Sequence, residues 1–305
     1  MHFTEHDLSV GSVLSRQQGK FIHYNVEGEL WVLGDNIGEF KVDGDMNIDL
    51  PLGKKDSIQF NLRANVQSME PDFYMRHYRN QVTWWDQDNL NKDIRTRFMG
   101  TLSYPRTKTR LTVGVENMKN YTYFGIQKEL QGRADSTSTT PGDYTHDVKV
   151  LQHSGNIQVF SAMLGQDFKL GPLGWENEVT YQTSSNQEVL PLPKLSLYTN
   201  LYLLFHVSKI LRVQVGGDMR YFTSYYAPDY APSIGQFAVQ DASFARVKVG
   251  NYPIVNVYVN LHLKHCRLYL AMNHVNQGSG RYYWAPHYPV NPRTFHFGVS
   301  WNFFN

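Results

Sequence analysis

Four features are scarce or missing in this chain of 305 residues, and each absence narrows what the protein can be. No run of about 18 apolar residues occurs, the length a helix needs to cross hydrocarbon, so a helical membrane span is excluded. The longest apolar stretch, around Leu201 to Phe205, is far shorter. A single cysteine, Cys266, rules out an intrachain disulfide framework. Formal net charge is only +2 and the basic residues form no stripe, so no nucleic-acid surface is implied. Finally, Met1 is followed by His2, Phe3 and Thr4, with neither the basic n-region nor the apolar h-region of a signal peptide.

What is abundant is tyrosine, 20 of them, together with Asn, Gln, Ser and Thr in place of charge, and a strict alternation of apolar and polar residues. Period two is the signature of a strand with two unlike faces. Phe295, Phe297, Val299, Trp301 and Phe303 alternate with His296, Gly298, Ser300 and Asn302. Leu195, Leu197, Leu201, Leu203, Phe205 and Val207 alternate with Ser196, Tyr198, Asn200, Tyr202 and His206. The same pattern runs through Val255 to Leu263, Leu211 to Tyr221, Ile58 to Val66 and Phe40 to Leu50.

A soluble sandwich also alternates, so three further features decide the solvent. The segments run to about ten residues, the length a tilted strand needs to cross hydrocarbon. Connections alternate between short and long: short near Arg16 to Lys20, Pro51 to Asp56, Pro105 to Lys108, Gly171 to Pro172, Ser208 to Lys209 and Lys264 to His265. Long ones lie between Gln67 and Lys92, Tyr121 and His153, Ser184 and Pro193, Ala227 and Gly250, and Gln277 and Arg293. Aromatics such as Tyr104, Tyr121, Trp175, Tyr221, Phe222 and Trp301 crowd the segment ends, as the girdles of an outer-membrane barrel do. The expected fold is therefore an all-β, antiparallel, up-and-down transmembrane β-barrel of about 13 to 14 strands, one domain over residues 1–305, in a Gram-negative outer membrane.

The odd count of thirteen, against the even number of bacterial single-chain barrels, sets an expectation that this is the C-terminal part of a larger barrel. The alternative is one further strand hidden in the weakly patterned stretch from Tyr121 to His153.

The closing residues Phe295 to Asn305 resemble the C-terminal strand of outer-membrane proteins. Trp284-Ala285-Pro286-His287-Tyr288-Pro289, followed by Phe295, resembles the end of the outer-membrane porins of Bacteroidetes. Pro71-Asp72-Phe73, Tyr78-Arg79-Asn80 and Trp84 are similar to an extracellular loop of that family. Asn305 departs from the terminal aromatic, a role Phe304 fills. The resemblance implies a passive porin. TonB-dependent receptors also end in a tyrosine- and proline-rich loop and an aromatic strand, but nothing here resembles their plug domain or TonB box.

Catalytic and metal motifs carry little. Asp86-Gln87-Asp88-Asn89-Leu90-Asn91 has some composition of a calcium loop, yet lacks the turn glycine and has Arg97 where the last glutamate belongs. His262, His265 and Cys266 match no zinc spacing. His153 and Ser154, as neighbours in a strand, point to opposite faces and cannot form a lipase pair. Asp86, Asp88, Asp143, His146 and Asp147 lie in outer connections, where a barrel protease would keep its acids, but the flanking Ser136 to Gly142 is turn-rich. No enzyme and no cofactor is expected.

The polar face carries charge of both signs. Arg63, Arg95, Arg97, Arg212 and Arg220 stand with Asp43, Asp45, Glu176, Glu178 and Asp218, beside Glu27, Glu29, Asp49 and Glu116. A hydrated wall needs no more than such a mixture. Acidic residues gather in the first strands and basic ones in the middle, so opposed arcs and a transverse field are expected. The expected partners are outer-membrane lipid and small hydrophilic solutes. A truncated receptor barrel, or a non-conducting adhesin or anchor, is the competing reading.

Overall fold

Apolar side chains at every second position give a pleated strand one face that leaves water and one that stays in it. The computed structural model describes residues 4–53, 56–130, 144–243, 245–280 and 282–303, with backbone alone at 128–130 and 144–147. It holds a single 13-stranded sheet in which each strand pairs with its neighbours in sequence order. In that order the strands are Asp7–Arg16, Ile22–Gly34, Phe40–Leu52, Asp56–Met69, Asp93–Tyr104, Thr109–Leu130, Tyr144–Leu170, Leu173–Ser184, Leu195–Val207, Leu211–Phe222, Ile254–Leu263, Cys266–Asn273 and Thr294–Trp301. Every pairing is antiparallel, as in an up-and-down meander. All thirteen segments expected from the alternation are strands. The first strand pairs only with the second and the last only with the twelfth, so among the described residues both edges are open.

Short turns close one end of the sheet, and several use left-handed backbone: Lys108, Gly171, Ser208 and Lys264 have φ of 55, 57, 59 and 45°. Two-residue antiparallel turns favour this conformation because it follows the right-handed twist of the flanking strands. The longer connections all lie at the other end and carry one helical turn, Phe73–Arg76, and three two-stranded hairpins.

Within the stretch from Tyr121 to His153, the described residues, 121–130 and 144–153, extend two strands already counted rather than adding a further one. The sixth and seventh strands continue pairing past Tyr121↔His153 to Leu130↔Tyr144, a hairpin arm that projects beyond the rest of the sheet. Its pattern is unreadable for two reasons. A bulge between Lys119 and Tyr121, with Asn120 at φ 59°, breaks the register. Beyond the bulge the arm is also covered by other loops rather than by lipid, so apolar and polar residues no longer need to alternate.

Cross-strand register separates the two faces without ambiguity. Leu203, Val215, Val259, Leu270 and Phe297 stand opposite one another in one row, and Leu201, Gly217, Val257, Met272 and Phe295 in the next. These residues are packed against nothing: Leu203 is 45% exposed, Phe297 62% and Trp301 59%. In water such a face would be buried. Leu195, Leu197, Leu261 and Val299 belong to it, while Asn200, Arg212, Asp218, Asn256 and Asn260 lie on the opposite face.

Burial is concentrated in the crown of long connections. Ile126 and Val148 of the arm pack with Ala231 and Ala238 of a loop hairpin, and Met118 and Ile157 pack with Val189. Trp85 lies 5.8 Å from Phe124, Asn80 donates to the Ser233 carbonyl at 2.5 Å, and Phe222 stacks on Trp284 at 5.7 Å. The loops thus form one connected body above the sheet.

Candidate functional site

The polar face is continuous over the sheet, because direct cross-strand partners share a face. Asp43 faces Asn65, which faces Arg97, which faces Glu116; Asp45 faces Arg63. Further along, Glu176 faces Asn200, which faces Asp218, and Glu178 faces Tyr198, which faces Arg220. Arg95 stands opposite Gln67 and Met118, and Arg212 opposite His206 and His262. All ten charged residues singled out above therefore occupy this one face.

They do not form opposed acidic and basic arcs. Arg63 Nε lies 3.1 Å from Asp45, Arg97 Nε 3.3 Å from Glu116, Lys41 Nζ 3.1 Å from Asp43 and Arg110 3.0 Å from Glu178. Asp43, Asp45, Glu116 and Glu178 are each met by a base on their own or a nearby strand, so the charges of these pairs are offset locally. The reason is geometric: residues far apart in sequence become neighbours once the register is set, and opposite charges there are mutually stabilising.

Two zones differ in kind. In the second to sixth strands Asp45 also accepts from Asn47 at 2.8 Å and Asn61 at 2.9 Å, and Asp43 from Asn65 at 2.7 Å. A cleft of 440 Å³ opens here between Glu27, Asp43, Asp45, Arg63, Asn65 and Arg97. Carboxylates are in excess: Glu27, Glu29, Asp43, Asp45, Asp49, Asp93 and Glu116 against Lys41, Arg63, Arg95, Arg97 and Arg110. From the seventh strand on, Asp167, Glu176, Glu178 and Asp218 are matched in number by Lys169, Arg212, Arg220 and Arg267.

The second zone is built largely of tyrosine and amide. Glu176 accepts from Asn200 at 3.0 Å and from the Tyr202 hydroxyl at 3.1 Å. Tyr258 donates to Asn200 Oδ1 at 2.8 Å, Gln214 donates to the Tyr258 hydroxyl at 3.3 Å, and Asn256 donates to Asp218 at 2.9 Å. The Arg220 guanidinium lies 5.6 Å from the centre of the Tyr198 ring. Across four strands one row reads Gly174, Tyr202, Gly216, Tyr258. A Cβ at Gly174 would overlap the Tyr202 ring, and one at Gly298 would overlap the ring of Tyr269. At Gly216 it would meet Tyr202 Cβ at 2.7 Å, the Tyr258 hydroxyl at 2.8 Å and the Leu201 carbonyl at 2.9 Å. Each tyrosine is thus laid across the glycine opposite. Glycine inside a strand signals such close approach, but which ring it admits emerges only with the register.

Outside the sheet, the hairpin of His77–Arg79 with Trp84–Asp86 brings together three residues that spacing did not suggest. Buried His77 sets Nδ1 2.6 Å from Asp86 and Nε2 3.5 Å from Asp88. The three could offer one imidazole nitrogen and two carboxylate oxygens to a cation. His262 faces Arg267 on the polar side, whereas Cys266 shares the apolar row of Leu263 and Trp301, so these two cannot share an ion. His153 pairs with Tyr121 inside the arm. Asp143, Phe304 and the side chains of His146 and Asp147 lie outside the described residues.

The sequence matches the family model described as "Putative porin" over residues 1–305. The chain belongs to that porin family. Among curated proteins no sequence relative matches. The sheet is similar to the ferric enterobactin receptor of Pseudomonas aeruginosa in complex with enterobactin, at TM-score 0.61 and 14% identity, over 96% of this chain and 45% of that one. It is similar also to the siderophore receptor PirA of Acinetobacter baumannii, at 0.60 and 11%, over 96% and 45%. The FrpB iron transporter of Neisseria meningitidis gives 0.59 and 12%, over 97% and 45%. The porin-family chain therefore spans less than half the length of these barrels, and the likeness concerns the fold. It is an outer-membrane protein. Its exposed apolar face is the one that meets lipid, and its polar face is the one turned away from it.

Proposed function

We propose that the protein conducts small hydrophilic solutes passively across the outer membrane, along a lumen lined by the polar face. The observation that carries this reading is the continuity of that face across the sheet, with Arg63, Arg97, Glu176 and Glu178 held in exposed ion pairs and amide contacts rather than sealed in a core. Arg95, Arg212, Arg220, Asp43, Asp45 and Asp218 belong to the same wall. A membrane cannot tolerate an open sheet edge, and single-chain bacterial barrels have even strand numbers. The 13-stranded sheet is accordingly read as part of a larger barrel domain rather than as a free-standing sheet. The aromatic final strand and the Trp284 to Pro289 loop support an origin in the Bacteroidetes.

Planar-bilayer recording of the full-length protein tests the reading. A porin gives stepwise, ohmic conductance that needs no energy source. Insertion with no current, paired with energy-dependent solute uptake in cells, identifies a receptor barrel instead. Insertion with neither leaves the anchor or adhesin.

A further inference from the structure

The tyrosine zone goes beyond what a passive wall requires. Tyr202 and Tyr258 occupy one cross-strand row, alternating with Gly174 and Gly216. Because glycine leaves no side chain beneath them, the rings lie along the wall rather than across the lumen. Rings so placed offer a flat, apolar, weakly negative surface to whatever slides past. On one side of this strip runs the row Glu176, Asn200, Asp218 and Asn256, and on the other runs Gln214 with Asn260. Tyr269, opposite Asn260 and laid over Gly298, continues that second bordering row on the next strand and brings a third ring beside the strip.

An aromatic strip bordered on both sides by amide and carboxylate groups matches a solute with apolar C–H faces and a rim of hydroxyls. The four carboxylates of this zone are matched in number by Lys169, Arg212, Arg220 and Arg267, so the zone carries no net charge for a solute to bring a counter-charge to. Two strand spacings separate Tyr202 from Tyr258, about 10 Å, which is the span of two linked pyranose rings. We propose that this wall is a recognition surface for neutral saccharides, with Tyr202, Tyr258 and Tyr269 stacking on sugar faces while Glu176, Asp218 and Gln214 take up hydroxyls and buried Asn200 holds Glu176 and Tyr258 in place. The proposal rests on the porin reading and adds a substrate class to it.

A purely structural role for these rings predicts something different. Aromatic side chains over glycine stabilise a sheet whether or not a ligand stacks on them. Replacement by Phe keeps the ring face, replacement by Leu keeps the apolar bulk without the ring, and only saccharide stacking distinguishes the two.

The experiment is a current-block titration of the full-length protein in planar bilayers with maltohexaose, against polyethylene glycol of equal hydrodynamic size. Calorimetric titration of the detergent-solubilised protein with the same two probes runs beside it. Maltohexaose is expected to block current, with half-block near about 1 mM, at concentrations where the polymer does not. Tyr202→Leu with Tyr258→Leu should raise the half-blocking concentration about tenfold, equivalent to about 1.4 kcal/mol. Tyr202→Phe with Tyr258→Phe should raise it less than threefold. Should the leucine pair fail to fold, Tyr269→Leu against Tyr269→Phe serves in its place. A conducting channel that treats the two probes alike, with no heat of binding, overturns the saccharide wall and leaves the porin intact. Heat of binding without current keeps the saccharide surface and overturns the porin. Neither current nor heat overturns both.

Discussion

Asp45 and Glu176 are both carboxylates on the polar face, yet their surroundings differ. Asp45 is held by an arginine and two asparagines within a zone where acids outnumber bases. Glu176 is held by an asparagine and a tyrosine hydroxyl in a zone where charges balance. Both satisfy their lone pairs, as a buried or half-buried carboxylate must. The first zone does so with ion pairs that salt screens, the second with neutral donors that salt leaves alone. The comparison teaches that one continuous face can divide its work between a charged region sensitive to ionic strength and a region whose character is set by ring faces and amides.

The largest expected effect concerns what the two zones share. Val113 and Val259 lie on the apolar face, each four residues in from the short-turn end of its strand. Val113→Arg and Val259→Arg should each cost about 2–4 kcal/mol, the penalty for a cation at lipid depth. Urea titration of refolding into vesicles measures both. If only one of them were costly, the zones would differ in what faces lipid as well as in the lumen.

Next in size is the glycine contrast. Gly216→Ala brings a methyl against the Leu201 carbonyl and two tyrosines and should destabilise by about 1–3 kcal/mol. Gly44→Ala, on the apolar face of the third strand behind the first zone, meets nothing nearer than 3.9 Å and should be close to neutral on the same titration. Equal losses would mean that close packing is not peculiar to the tyrosine zone.

Ion selectivity separates the zones further. Asp43→Lys with Asp45→Lys should move the reversal potential toward anions, and Arg95→Glu with Arg97→Glu toward cations. Both shifts should grow at about 0.01 M salt, where the Debye length reaches about 30 Å. Glu176→Gln with Asp218→Asn removes two charges where each of the other pairs changes four, and should shift it about half as far or less. A larger shift from the second pair would reverse the assignment of charge control to the first zone.

The smallest effect lies in the crown beside the first zone. Glu39 is 3% exposed, and its carboxylate accepts the Glu70 N–H at 2.6 Å. Burial, the largest cause, pushes its pKa up, against the opposing Glu70 hydrogen bond and the nearby Lys92 charge. A carboxyl whose folded pKa is raised contributes stability that is complete below its unfolded pKa and is lost as pH rises through the folded value. Lowering the pH from 7 toward 4 should therefore raise the urea midpoint slightly more in the parent than in Glu39→Gln. Equal pH profiles would show that Glu39 carries no such linkage.

Much of the fold is legible because lipid demands alternation: Leu203 must face out if Tyr202 and Leu204 face in. That demand ends where lipid ends. Beyond Asn120 the arm is sheathed by protein on its flanks, and the rule that made the other strands readable no longer applies. The membership of the polar face is equally legible, since parity alone assigns Asp43, Arg97 or Glu178 to it. Its chemistry is not. Asp45 with Arg63, or Gly174 with Tyr202, are pairs created by register, and register depends on turn geometry and bulges spread along the whole chain. His77 went unnoticed for the same reason, because a three-residue hairpin brings it to Asp86.

The concentration of buried side chains above the sheet has a consequence for how the molecule opens. Amides in the strands inside the sheet are held by hydrogen bonds to neighbouring strands on both sides, whereas those of the crown depend on contacts such as Ile126 with Ala238 and Tyr252 with Val290. The crown should therefore behave as a separate cooperative unit. Its amides should exchange together, at a free energy below that of the strands, and a single core change such as Ala238→Asp should release the whole set while the strands stay protected. Loosening the cap and dissolving the wall are distinct events in this molecule, set by two different solvents.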